Sequence, residues 1–300
     1  MFFSHLTPVF ILLLHILLTL TLSWRYFRRY QMTRPPLGVF SLGDVAFMLG
    51  SIIVIPYLYL SIPRWIVATL LLLSASSLLY FVFEPVLRVR WAIGAVTLSL
   101  VLTDLGAAWG MGAQSLMFVI VNNLVQILSV VGITVLWAQS GMKARDLAIL
   151  ALALAVYDFV FTTQLPLMAD LFHRLSGLPF APLVTWPLEN AGQWLGIGLG
   201  DLLLAAAFPL VMRKAFGRPA GLAALLSGLG VLALLLVLPM SDALTKIFPV
   251  MVVLGPLMGL QYLYWRRQHG AERTMRQYLL AEPTENRTNE VQEGVGSASA

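Results

Sequence analysis

Nine stretches of mostly apolar residues, each about twenty long, follow one another along this chain with short polar connections between them. Their approximate limits are 6–24, 40–60, 65–83, 91–110, 115–138, 146–166, 194–212, 219–240 and 244–265. A hydrocarbon core about 30 Å thick is crossed by roughly 20 residues of helix. The expected fold is therefore all-α, a polytopic membrane protein with nine transmembrane helices in one membrane domain over 1–280. Composition agrees. Of 300 residues, 59% are hydrophobic and 11% charged, whereas a soluble domain has about a quarter charged. The first stretch has no basic region before it and no small-residue cleavage site after it, so it reads as a retained helix rather than a signal peptide.

The chain has no cysteine, and its four histidines, His5, His15, His173 and His269, are widely scattered. No disulfide framework, metal centre or cofactor is expected. The net charge of +5 comes from cations at the ends of the apolar runs, where they act as topology anchors, and no nucleic-acid role is assigned. Those cations alternate. Arg25, Arg28, Arg29 and Arg34 follow the first run, Arg88 and Arg90 the third, and Lys143 and Arg145 the fifth. Arg213, Lys214 and Arg218 follow the seventh, and Arg266, Arg267, Arg273 and Arg276 the ninth, while the opposite connections hold only Arg64, Arg174 and Lys246. The positive-inside preference then places the N-terminus outside and the C-terminus in the cytoplasm. The tail, 281–300, is rich in Glu, Asn, Thr, Gly and Ser from Glu282 on and is expected to be disordered. The longer outer connection, 167–193, contains Leu171-Phe172-His173-Arg174-Leu175, which reads as a short interfacial helix or as a gate.

Two lone carboxylates interrupt successive apolar runs: Asp158, after Tyr157, and Asp201, in Gly196-Ile197-Gly198-Leu199-Gly200-Asp201. An acid at bilayer depth is costly and marks a candidate site. Asp158 follows Arg145 by thirteen residues and Asp201 precedes Arg213 by twelve. At about 1.5 Å per residue both lie roughly 18–20 Å from the same edge, so they can face each other. Facing carboxyls in a low dielectric share one proton. The ionised member can then deprotonate a water while the protonated one donates to a scissile carbonyl. The glycines before Asp201 remove side chains from its approach, either for helix packing or for another backbone.

These residues resemble the presenilin and signal peptide peptidase family of intramembrane aspartyl proteases. Its Tyr-Asp motif is similar to Tyr157-Asp158, its Gly-x-Gly-Asp motif to Gly198-Leu199-Gly200-Asp201, and its Pro-Ala-Leu motif, loosely, to Pro249-Val250-Met251; Pro256 has a counterpart in the signal peptide peptidases. The resemblance implies a presenilin-like bundle in which helices 1–5 (about 6–138) are scaffold and helices 6–9 (about 146–265) are catalytic. Asp158 and Asp201 would be the catalytic pair, with Tyr157, Gly198, Leu199, Gly200, Pro249, Val250 and Met251 shaping the substrate site. The orientation is similar to that of the signal peptide peptidases. This implies transmembrane substrates of type II, such as remnant signal peptides, and no obligatory partner subunits.

A helical substrate must be unwound before cleavage. A proline that disturbs the ninth helix offers backbone for an extended peptide, or merely makes a kink. Tyr157 is expected to hydrogen-bond a catalytic carboxylate or to fill space, and Gln164 hints at a water route. Asp44 is expected to cap the second helix. Asp104, beside Thr103, reads as structural ahead of functional, and Asn122, Asn123 and Gln126 are expected to join helices. Two rival functions stand. A prepilin-type peptidase also carries Gly-x-Gly-Asp, although with fewer helices and aspartates nearer the boundary. A proton-coupled transporter would use Asp158, Asp201 and Asp104 as a relay.

Overall fold

A computed structural model describes residues 2–32, 40–87, 89–165, 167–188, 194–237 and 249–281. It is 81% helical. Helices α1 (Phe2–Arg29), α2 (Leu42–Ser61), α3 (Arg64–Phe83), α4 (Arg90–Gly106), α5 (Leu116–Gln139) and α6 (Ala144–Phe159) follow the first six apolar runs. A π-helical turn extends α4 over Ala107–Met111, and another extends α6 over Val160–Gln164. Then come α7 (Leu167–Leu175), strands β1 (Leu183–Pro187) and β2 (Trp194–Gly198), α8 (Leu199–Phe216), α9 (Arg218–Val237), α10 (Met251–His269) and α11 (Met275–Ala281).

Among the described residues, seven helices are long and apolar enough to cross a membrane: α1 to α6, with the π turns included for α4 and α6, and α9. The expected seventh and ninth spans, now α8 and α10, are not among them. Helix α8 has 18 residues and carries Asp201, Arg213 and Lys214. Helix α10 starts at Met251 and closes on Arg266, Arg267 and His269. Residues 244–248 of the expected ninth span lie outside the described residues, as does the tail from Glu282. The outward faces of the other helices are apolar: Phe47 and Trp91 are each 77% exposed, a surface suited to lipid rather than water.

Helix α8 is the centre of the bundle. Nearly every residue from Leu202 to Phe216 is buried, against α1, α5, α6, α9 and α10. Its cationic end is buried too. The Arg213 guanidinium lies over the Trp24 ring at 4.6 Å, and Lys214 Nζ donates to the carbonyls of Ala138, at 3.1 Å, and Met142, where α5 ends. A lysine thus satisfies helix C-terminal carbonyls that would otherwise be buried without partners.

Local chemistry sets the helix ends. Ser41 and Asp44 form a reciprocal capping box on α2, with Asp44 Oδ2 accepting from the Ser41 backbone N–H at 2.6 Å, so the expected capping role is observed. The longer connection is more structured than expected. It contains α7, four residues longer at its start than the five foreseen, and strand β1, which pairs with β2 just beyond it; residues 189–193 within it lie outside the described residues. Arg174 pins α7 to the end of α2, donating to Tyr59 O at 3.0 Å and Ile62 O at 2.6 Å.

Candidate active site at the start of helix α8

The expected helix over 194–212 begins as a strand. β2 pairs antiparallel with β1, with Leu183 opposite Gly198 and Thr185 opposite Gly196, and α8 starts only at Leu199. Glycine explains the change. A Cβ on Gly196 would stand 2.8 Å from Thr185 Cγ2 and 3.2 Å from Val184 O, so only a residue without a side chain lets the two strands close here. The close backbone partner at Gly196 is the chain's own β1. The Leu199 N–H donates to Pro182 O at 3.0 Å, fixing the strand-to-helix junction.

Asp201 is the third residue of α8, counted from its N-cap Gly198, which has no side chain to cap the helix. A carboxylate in a first helical turn lies against the positive end of the helix dipole. Its Oδ2 folds back toward Gly198, where an added Cβ would meet it at 3.3 Å. Among the described residues, nothing lies within 4 Å of a Cβ built on Gly200, beside Asp201. Asp201 is partly buried and has no hydrogen-bond partner among the described residues.

Asp158 lies in the last turn of α6 and is held at both oxygens. Oδ1 accepts from Thr162 Oγ1 at 2.8 Å, and Oδ2 accepts from the Met251 backbone N–H at 2.9 Å. Thr162 belongs to the π turn, whose extra residue re-aims side chains one turn beyond Asp158. Met251 is the first residue of α10, whose N-cap, Val250, offers no side-chain cap. Asp158 therefore caps α10 from another helix. Helices α6 and α10 can approach this closely because Gly255 lies against the Ala151 carbonyl and 2.9 Å, at its missing Cβ, from the Ala155 Cβ.

Helices α6, α8 and α10 pack against one another. Met251 is thus joined to Asp158 by a hydrogen bond and Gly198 lies against Asp201, on three helices that pack together. Val250 is half-buried against the core. Leu199, the first residue of α8, is likewise packed on the core. Asp158 is fourteen residues past Ala144, the start of α6, and Asp201 fifteen before Phe216, the end of α8, about 21 and 22 Å of helix.

Other expectations need correction. Pro249 stands before the first turn of α10 rather than in a helix interior, with its carbonyl accepting from Val252 N at 3.2 Å. Proline is tolerated there without a kink; Pro256 is the one inside the helix. Tyr157 makes no hydrogen bond to either carboxylate. Its hydroxyl is buried without a partner among the described residues, and its ring packs on Phe161 at 4.4 Å. Asp104 is fully buried away from the pair, and its Oδ2 accepts from the Phe180 backbone N–H at 2.9 Å. Thr103 bonds Ser99 O, not Asp104. Asn122 and Asn123 join α5 to the hairpin rather than to another helix. Asn123 pairs with both backbone groups of Thr185, accepting at 3.0 Å and donating at 2.8 Å, and Asn122 Nδ2 faces Ala181 O and Leu183 O. Gln126 is buried. Gln164 is exposed and bonds Thr163. Thr162 was missed in the sequence, although a hydroxyl four residues after an intramembrane aspartate is the signal that marks it.

No model of a known protein family matches this chain, and no curated protein matches it. The described residues hold no group of three or more acidic or histidine side chains able to bind a metal ion.

Proposed function

We propose that this protein is an intramembrane aspartyl protease of the presenilin and signal peptide peptidase type, hydrolysing peptide bonds within transmembrane segments or remnant signal peptides. In this reading α1 to α6, α8, α9 and α10 are the nine spans, the N-terminus is outside and the C-terminus cytoplasmic. The single observation that carries it is the packing of α6 against α8, with Asp158 in the last turn of the one and Asp201 in the first turn of the other.

The chemistry follows from two acids with one proton between them. Water held between the carboxyls gives a proton to the ionised one and adds to the scissile carbonyl carbon as the other carboxyl protonates the carbonyl oxygen. The tetrahedral intermediate then expels the amine, which takes a proton from the carboxyl that received one, while a hydroxyl of the intermediate returns its proton to the other carboxyl, so the pair regains its starting charge. Thr162 and the Met251 amide hold Asp158 in place through these exchanges. In this reading the space at Gly200 admits an unwound substrate backbone. A proton relay through Asp104 is less well supported, because α4 packs on α3 and α5, whereas Asp158 and Asp201 stand on α6 and α8.

The test is incubation of purified protein with a labelled type II transmembrane peptide, comparing wild type with Asp158→Asn and Asp201→Asn. Product from wild type alone is expected. Equal product from all three removes the protease, and proton-driven uptake into vesicles that both variants abolish would install the transporter instead.

A further inference from the structure

A second site lies at the opposite end of α8. Where α1, α5 and α8 finish and α6 begins, a cavity of about 720 Å³ opens between the α5–α6 turn and the α10–α11 segment. Its wall carries the cations Lys143, Lys214, Arg273 and Arg276 and one carboxylate, Glu272. That carboxylate is turned to α6, where Oε2 accepts from Ala144 N at 2.8 Å and Oε1 from Arg145 N at 3.0 Å. The segment bearing Arg273 is fixed in place, its backbone N–H on Ala215 O at 3.1 Å and one guanidinium nitrogen on Arg213 O at 2.9 Å. Lys143 and Arg276 are exposed, with no ion pair or side-chain hydrogen bond among the described residues. The remaining wall is mixed: Gln31, Ser140 and Thr274 are polar, whereas Met275, Leu279 and Leu280 are apolar, and Leu280 is 78% exposed.

We propose that this cavity binds the phosphate headgroup of an anionic phospholipid. The exposed Lys143 and Arg276, beside the charges of Lys214 and Arg273, both held on backbone carbonyls, and against one carboxylate already turned to α6, select a phosphate. Leu279 and the exposed Leu280 share the wall with the cations, an apolar surface that acyl chains would use and a soluble anion would not need. The site is independent of the aspartates and of the protease reading.

The experiment is a thermal-melting titration of the detergent-solubilised full chain with dioctanoyl phosphatidylglycerol, dioctanoyl phosphatidylcholine and glycerol phosphate. A saturable rise with phosphatidylglycerol alone is expected, weakening as sodium chloride is raised. The double substitution Lys143→Gln and Arg276→Gln should weaken it by about 30-fold, two surface cations' worth. Lys143→Arg with Arg276→Lys should keep it. An equal rise with phosphatidylcholine, or an affinity that neither salt nor the neutral variant changes, overturns the site. A matching shift with glycerol phosphate overturns the lipid as its occupant.

Discussion

The backbone N–H of Met251 donates to Asp158 Oδ2 at 2.9 Å, so a carboxylate on α6 caps the start of α10. One residue thereby serves as helix cap and as candidate catalyst. Asp158→Asn keeps an acceptor for that amide but removes its charge. It should abolish cleavage while costing about 1 kcal/mol of stability, whereas Asp158→Leu should lose both. Thermal melting beside the peptide assay separates the two, and equal melting temperatures for both variants would contradict the cap.

Thr162 supplies the other hydrogen bond to Asp158, at 2.8 Å. Hydrogen bonds to charged groups contribute about 1.5–3 kcal/mol, so Thr162→Val should slow peptide cleavage by about tenfold or more. Thr162→Ser retains the hydroxyl and should restore most of the rate. A serine variant as slow as the valine one would count against the contact.

Gly198 and Gly200 are two residues apart yet should respond differently. An alanine Cβ at 198 stands 3.3 Å from Asp201 Oδ2, whereas one at 200 meets nothing within 4 Å. In peptide-free protein Gly198→Ala should displace the carboxylate and lower the cleavage rate. Gly200→Ala should leave fold and melting temperature unchanged and raise KM, because it occupies the space the substrate backbone takes. Identical kinetics for the two variants would refute this division.

Gly255 sets the spacing of α6 and α10. Any side chain there meets the Ala151 carbonyl and the Ala155 Cβ, and overpacking of this kind costs about 1–3 kcal/mol. Gly255→Ala should melt at lower temperature and open the Met251 amide to solvent. Hydrogen exchange at residues 251–254 reads this directly.

Asn123 presents an amide to Thr185 much as a third strand would. Asn123→Ala should forfeit two hydrogen bonds at about 1 kcal/mol each. Exchange across β1 and β2 should then speed by about 30-fold while the helices stay protected. Uniform deprotection, or none, would show that the hairpin is not held from α5.

Apolar periodicity was enough to expose the helical class and the first six helices, because burial or lipid exposure of a whole helix leaves a long run that survives any packing arrangement. It failed at 194–198. There Gly196 and Gly198 sit in an apolar run that looks helical alone, and only pairing with β1, which lies on the far side of the connection, makes it a strand. The similar helical distances of Asp158 and Asp201 from the cationic ends of their helices were countable along the chain because rise per residue is constant. Three things were not countable: the capping of α10 by Asp158, the commitment of Asp104 to Phe180, and the separation of Tyr157 from the pair. Each depends on how far one helix is rotated and how closely it is set against its neighbour, and residues such as Gly255, distant in sequence from what they control, decide that spacing.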